Sequence, residues 1–177
     1  VGPTIADDIK SGAVYSIIFS LIVVFLYILI RFRKWQFSLG AVVALLHDVL
    51  FVMGVFSLAD GLLPFQLEVD QAFIAAILTV IGYSLNDTVV VFDRIRENMG
   101  SRGKQNGESV NKSLNQTLSR TFNTSLTTFF VLLVIFLFGG EVIRGFMFAL
   151  LLGVLVGTYS SLFIATPVMF DASDKES

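Results

Sequence analysis

The chain has 177 residues, of which 55% are hydrophobic and 15% charged, with a formal net charge of −2 and no cysteine. An ordinary soluble domain is about 45–50% apolar even when glycine is counted, so a disordered chain and a soluble globule are both disfavoured. The lack of cysteine excludes a disulfide-rich secreted scaffold. The small negative charge provides no basic field for nucleic acid, so no nucleic-acid partner is expected.

Five stretches are long and apolar enough to cross a bilayer, which takes about 20 mostly apolar residues in a helix. Their approximate bounds are 13–30, 37–58, 71–92, 121–138 and 146–170. Because a backbone in lipid must satisfy its own hydrogen bonds, they predict an all-α membrane protein, a five-helix bundle. A loop is predicted over 93–120, in which 108–119 forms either an amphipathic surface helix or an extension of the fourth span.

The positive charges indicate how the bundle is oriented in the membrane. Lys10 and Arg144 fall on one side of the predicted spans, and every other Lys and Arg falls on the opposite side. That second group is Arg31, Arg33, Lys34, Arg94, Arg96, Arg102, Lys104, Lys112, Arg120 and Lys175. The positive-inside rule then places the N-terminus outside and the C-terminus in the cytoplasm. Since no initiator Met or signal-peptide region precedes the first span, we expect the C-terminal part of a longer membrane protein.

The fifth span carries a small residue at every fourth position, a pattern that lets a second helix approach closely. The stripe is Gly145, Ala149, Gly153, Gly157 and Ser161. Packing within the chain's own bundle is the expected use, and a homodimer seam is the alternative.

Asp87 is the clearest charged residue inside a predicted span. It lies about six residues from the basic end of the third span, roughly 9 Å deep, where a charge costs about 2.5–3.5 kcal/mol on insertion scales. Thr79, Tyr83 and Asp87 follow at intervals of four, so they share one helix face. That face is therefore expected to meet protein or water and not lipid.

A polar stretch opens the fourth span and contains Arg120. Antiparallel third and fourth spans would bring Arg120 to a depth similar to that of Asp87. The arrangement predicts either a carboxylate that exchanges a proton while Arg120 pairs with its charged form, or a static ion pair. Asn86, which adjoins Asp87, and Thr124, which can share a helix face with Arg120, are further candidates for the proton path.

His47 and Asp48 lie near the middle of the second span. Histidine and carboxylates often form proton relays in membranes, but a structural role is an equal alternative for both residues. A single histidine without cysteine cannot form a His-based metal site. No nucleophile elbow, phosphate-binding loop or dinucleotide-binding motif is present, so neither an enzyme nor a bound cofactor is expected.

The string GYSLNDTVVVFDRIREN (residues 82–98) resembles SecF, the membrane subunit paired with SecD in bacterial protein export. The strings VGP (1–3), HDVLFVMGVFSL (47–58) and SRTFNTSLTT (119–128) resemble the same family. The similarity extends over residues 1–170. It fits a separate SecF and the SecF half of a SecDF fusion equally well.

The resemblance implies a transmembrane half of the RND type in the bacterial cytoplasmic (inner) membrane, with protons as coupling ions. It implies SecD, the SecYEG channel, YajC and a preprotein as partners, and Asp87 and Arg120 match the family's intramembrane Asp and Arg. The family's first span and periplasmic domain would precede residue 1. The alternatives are a fragment of an RND-type small-molecule exporter and a membrane scaffold without proton coupling.

Overall fold

The computed structural model describes residues 3–99 and 106–174, which form six α-helices and one π-helical turn and contain no strand. The helices are α1 (Pro3–Phe32), α2 (Trp35–Ala59), α3 (Gln71–Asn98), α4 (Gly107–Phe138), α5 (Arg144–Ser160) and α6 (Thr166–Asp174). The π turn (Ser161–Ala165) joins α5 to α6, and together the three make a single apolar span. Five segments are thus long and apolar enough to cross a membrane, which confirms the all-α, five-span prediction.

The helices extend beyond the apolar stretches that predicted them. α3 continues to Asn98 and α4 already begins at Gly107, so much of the predicted loop is helical. Residues 107–120 continue the fourth span without a break and do not form a separate surface helix. Asn106 caps this helix, since its side chain accepts a hydrogen bond from Ser109 N at 2.8 Å. Arg102, Lys104 and Lys175 lie outside the described residues.

Two hydrogen bonds fix α3 and α4 as antiparallel neighbours. Ser125 bonds to Asp87 near the middle of the bundle, and Asn98 bonds to Ser113 at its basic end. Asp87 and Asn98 are eleven positions apart on α3, and Ser113 and Ser125 are twelve positions apart on α4. Each interval corresponds to about 17–18 Å of helix. The two helices therefore keep one register over that length.

The small-residue stripe on α5 packs against α3 within the chain. A Cβ atom added to Gly153 would overlap the side chain of Val80, and one added to Gly157 would lie 2.9 Å from Ser84 Cβ. Ala149 and Ser161 are fully buried, and Gly145 lies against the backbone carbonyl of Gln66. The stripe thus brings α5 close enough to α3 for short polar side chains on the two helices to meet.

Candidate functional site

Two carboxylates are buried at the middle of the bundle. Asp48 on α2 is 0% exposed and Asp87 on α3 is 4% exposed. Each is surrounded by hydroxyl groups, and each cluster is completed by a residue of α5. We call them the Asp48 cluster (His47, Asp48, Ser84, Ser160) and the Asp87 cluster (Tyr83, Asp87, Ser125, Thr158).

The Asp87 cluster is organised by Ser125. Its hydroxyl donates to Asp87 Oδ2 at 3.3 Å and accepts from Tyr83 at 3.3 Å and from Thr158 at 2.5 Å. A serine hydroxyl has one donor and two acceptor positions. The single Thr158 proton can go either to Ser125 or to the Val154 carbonyl at 2.7 Å, so one acceptor position of Ser125 is free when Thr158 donates to Val154. The cluster joins α3, α4 and α5, and a change in the charge of Asp87 changes the strength of its hydrogen bond with the hydroxyl that links all three.

The expected ion pair between Asp87 and Arg120 is not formed in this structure. In the described part of the chain, ion pairs within 4.0 Å join Arg31 to Asp93, His47 to Asp48 and Arg94 to Glu97. Arg120 is exposed. It precedes Ser125 by five residues, which turns it about 140° around α4 and sets it about 7.5 Å nearer the basic end.

The other two candidates beside this pair do not join the Asp87 cluster. Asn86 is exposed on α3. Thr124 is exposed as well, and its hydroxyl donates to the carbonyl of Arg120 in its own helix at 3.0 Å. Adjacent helix positions point about 100° apart, which is why neighbours of Asp87 and Ser125 in sequence leave the cluster.

The Asp48 cluster holds its carboxylate more tightly. Ser84 donates to Asp48 Oδ2 at 2.6 Å and Ser160 donates to the same oxygen at 2.8 Å. His47 Nδ1 lies 3.2 Å from Oδ1, while the His47 side chain is about one-third exposed and stacks on Phe51. The cluster therefore joins α2, α3 and α5 and has its histidine at the edge.

A third set of hydroxyls connects α3 to the π turn. Thr88 and Ser161 are hydrogen-bonded through their hydroxyls at 2.9 Å, and Ser161 also bonds to the carbonyl of Gly157. Thr166 donates to the Ser161 carbonyl at 3.2 Å, five residues back. The turn ends at Ala165, two residues before Pro167, which cannot donate a helical backbone hydrogen bond. π-turns inside α-helices often occur at functional sites.

Sequence reasoning did not find Ser84, Ser125, Thr158 and Ser160 as site residues. The available signal was weak: Ser84 lies three residues before Asp87, and Ser160 adjoins Ser161 in an otherwise apolar span. Small hydroxyl residues in a membrane helix are also used simply for close packing, so their pairing with the carboxylates depends on helix rotations that the sequence does not specify.

The fold and these clusters define a class: a multi-pass helical membrane protein with buried titratable groups inside the bundle. The family model "Protein export membrane protein SecD/SecF, C-terminal" matches residues 1–175. The chain therefore belongs to the SecD/SecF family of protein export membrane proteins, as the resemblance of residues 82–98 predicted.

The similarity to individual relatives extends along nearly the whole chain. The protein translocase subunit SecF of Rhodothermus marinus is 62% identical over 172 residues, which are 97% of this chain and 56% of the relative. That of Thermodesulfovibrio yellowstonii is 49% identical, over 96% of this chain and 55% of the relative. A crystal structure of SecDF in a "super-membrane-facing form" superposes with a TM-score of 0.84 at 39% identity. The match covers 99% of this chain and 23% of the SecDF chain. The chain spans about half the length of the curated relatives that it matches.

Proposed function

We propose that this chain is the transmembrane part of a subunit of the bacterial Sec machinery, and that it couples proton movement to preprotein export across the cytoplasmic membrane. Family membership supports the export role. The proposed partners are SecD, as a separate chain or as part of the same one, the SecYEG channel, YajC and the preprotein. Protons are the proposed coupling ions, and no bound cofactor or catalytic step is invoked.

The observation that carries the coupling proposal is the position of Asp87. It is a buried carboxylate inside a membrane span, and a single hydroxyl, that of Ser125, links it to two other helices. When Asp87 is protonated it loses its charge and becomes a donor, so the hydrogen bond from Ser125 weakens, and it reverses where the proton sits on Oδ2. In that case Ser125 becomes the acceptor, and the hydroxyls of Tyr83 and Thr158 that donate to it have to turn as well, so proton binding changes contacts among α3, α4 and α5.

The available energy is sufficient to shift such a bundle. One proton moving through about 100 mV releases roughly 2.3 kcal/mol. Two arrangements of a protein that coexist differ by only a few kcal/mol. Each proton taken up by Asp87 can therefore bias the relative positions of α3, α4 and α5, and we propose that this bias drives the export step.

We propose that Arg120 approaches Asp87 when the carboxylate is charged. Replacing Arg120 with alanine should then remove most of the gradient-dependent stimulation of export, and replacing it with lysine should retain part, because lysine keeps the charge and loses the planar fork. The measurement is preprotein transport by membrane vesicles containing the full-length protein in its complex, with and without a proton gradient. Lys112→Ala, which removes an exposed charge from the same helix, is the control. Normal stimulation in Arg120→Ala would reject this role.

The proposed orientation, with the N-terminus outside, is tested separately from the mechanism. Single cysteines at Ser11 or Gly61 should react with an impermeant thiol reagent added to intact cells, and a cysteine at Ser173 should not. Gly103, which the same orientation places in the cytoplasm, lies outside the described residues. Labelling of position 173 from outside, with no labelling of position 61, would reverse the proposed depth and direction of every span.

For Asp48 we propose a structural role. Its two hydroxyl donors come from α3 and α5, so the carboxylate fastens α2 to the closely packed pair formed by those helices. His47 lies at the outer edge of the cluster and adds a contact to the second oxygen. The Asp48 cluster then keeps α2, α3 and α5 together while the hydrogen bonds of the Asp87 cluster change with its protonation.

A further inference from the structure

The buried face of α4 is unusual for a membrane helix because it is made almost entirely of hydroxyl groups. Apart from Val110, the buried residues of α4 are Ser113, Thr117, Thr121 and Ser125. They follow one another at intervals of four, so each lies about 6 Å further along α4 and about 40° further around it, and together they form a gently winding row, which we call the hydroxyl row. It begins at the basic end of the bundle and ends at Asp87.

Both ends of the row contact α3. Its first member, Ser113, accepts a hydrogen bond from Asn98 at 2.8 Å, and its last member, Ser125, donates to Asp87. In the register set by these two bonds, Thr121 and Thr117 lie level with Val91 and Ile95, which are both fully buried. All four residues of the row are buried, so their hydroxyls are shielded from lipid.

Thr121 distinguishes the row from an ordinary packing stripe. It is 1% exposed, and its Oγ1 atom makes no hydrogen bond to any described group. Thr117 and Ser113, in contrast, bond to carbonyls four residues back in their own helix. A buried hydroxyl without a partner costs about 1–3 kcal/mol, so the position of Thr121 between two other hydroxyls points to a small polar ligand such as a water molecule.

The spacing of the row suits water between its members. Residues four apart on a helix are separated by about 6 Å along the axis. That is too long for one hydrogen bond but close to the sum of two bonds of about 2.8 Å. A single water between adjacent hydroxyls would have the polar partners that an ordered buried water needs.

We propose that the hydroxyl row is the path by which protons pass between Asp87 and the basic, cytoplasmic end of the bundle, through waters held by Thr121 and its neighbours. The proposal depends on the function assigned to Asp87 above. In the release step, the carboxyl O–H bond of Asp87 breaks and its proton binds the adjacent water. Each water then passes one proton on, and a hydronium ion leaves beside Ser113 and Asn98 while Asp87 becomes a carboxylate.

A second approach to the Asp87 cluster, from the side of α5, is poorly suited to water. A cavity of about 310 Å³ lies between α4 and α5 and reaches Ser125 and Thr158. Apart from these two and Tyr159, its lining is aliphatic and phenyl side chains: Phe122, Leu126, Phe129, Leu155, Leu162 and Phe163. A continuous water chain needs polar partners along its course, and the hydroxyl row provides them.

The test is Thr121→Val, which keeps the shape of the side chain and removes the hydroxyl. In the full-length protein within its complex, gradient-dependent export should fall several-fold while export without a gradient stays at the wild-type rate. Thr121→Ser, which restores a hydroxyl, should recover most of the stimulation. The matched control is Thr127→Val, since Thr127 is exposed on the same helix and its hydroxyl bonds to the carbonyl of Asn123.

The results for these variants distinguish a failure of the proposed proton path from a failure of the proposed role of Asp87. Wild-type stimulation in Thr121→Val, together with loss in Asp87→Asn, would reject the hydroxyl row and leave the Asp87 proposal intact. An equal loss in Thr121→Val and Thr127→Val, or a failure of Thr121→Ser to recover, would also reject it, because the effect would then not follow the buried hydroxyl. Normal stimulation in Asp87→Asn would reject the proposed function on which the row depends.

Discussion

Asp87→Asn should abolish the gradient-dependent part of preprotein export and leave insertion, stability and gradient-independent export close to normal. Asparagine has nearly the shape of aspartate and retains an oxygen that can accept the hydrogen bond from Ser125. What it loses is the ability to bind and release a proton. The measurement is transport into vesicles with and without a proton gradient, normalised to the amount of inserted protein.

A control variant sharpens this expectation. Asp60→Asn removes an exposed carboxylate at the end of α2, outside the membrane interior, and should respond to the gradient as the wild type does. If Asp87 were only structural, the asparagine variant would be less stable and the protein that remained would still respond to the gradient. That pattern would contradict the proposed function while leaving family membership unaffected.

Gly153→Leu should disrupt the bundle itself. The position where its Cβ atom would lie is already occupied by the side chain of Val80, so α5 would have to move away from α3. Overpacking a well-packed interior typically costs about 1–3 kcal/mol, and here it would also separate the helices that share both carboxylate clusters. We expect a large loss of thermal stability for the full-length protein in detergent.

The same substitution at an open glycine provides the comparison. Gly54 on α2 has no other atom within 4 Å of an added Cβ, so Gly54→Leu should change the stability of the purified protein little. Equal stability of Gly153→Leu and the wild type would mean that α5 does not pack on α3 as described. Because this result concerns packing alone, it is independent of any role of protons.

The sequence predicts where the membrane helices lie better than it predicts which face of each helix turns toward the bundle interior. Five spans follow from composition, since a bilayer accepts only long apolar helices, and the small-residue stripe on α5 correctly indicated close packing within the chain. The predicted pair of Asp87 and Arg120 is not formed in this structure, because knowing that two helices are neighbours does not determine which face of α4 turns inward. Arg120 lies outside that face, and Ser125, with a less conspicuous side chain, lies on it.

The Asp48 and Asp87 clusters also depend on helix contacts and on a π turn, which the spacing of apolar and polar residues in the sequence does not reveal. Asp48 meets Ser84 and Ser160 because Gly157 allows α5 to approach α3. The π turn changes the helical phase after Ser160, so positions predicted by a regular repeat shift beyond that point. The hydroxyl row, in contrast, is visible in the sequence as four residues at intervals of four, but only burial distinguishes it from other serine and threonine positions on α4.

The protonation of Asp87 can be observed directly by infrared difference spectroscopy on the full-length complex in lipid, as the pH is stepped through the range in which export responds to the gradient. The carbonyl stretch of a protonated carboxyl group lies apart from amide absorption and reports buried acids one by one when variants are compared. If Asp87 carries the proton, a carboxyl band titrates in the wild type, disappears in Asp87→Asn and remains in Asp48→Asn. A band of unchanged intensity in Asp87→Asn would contradict the claim that Asp87 is the group that carries the proton.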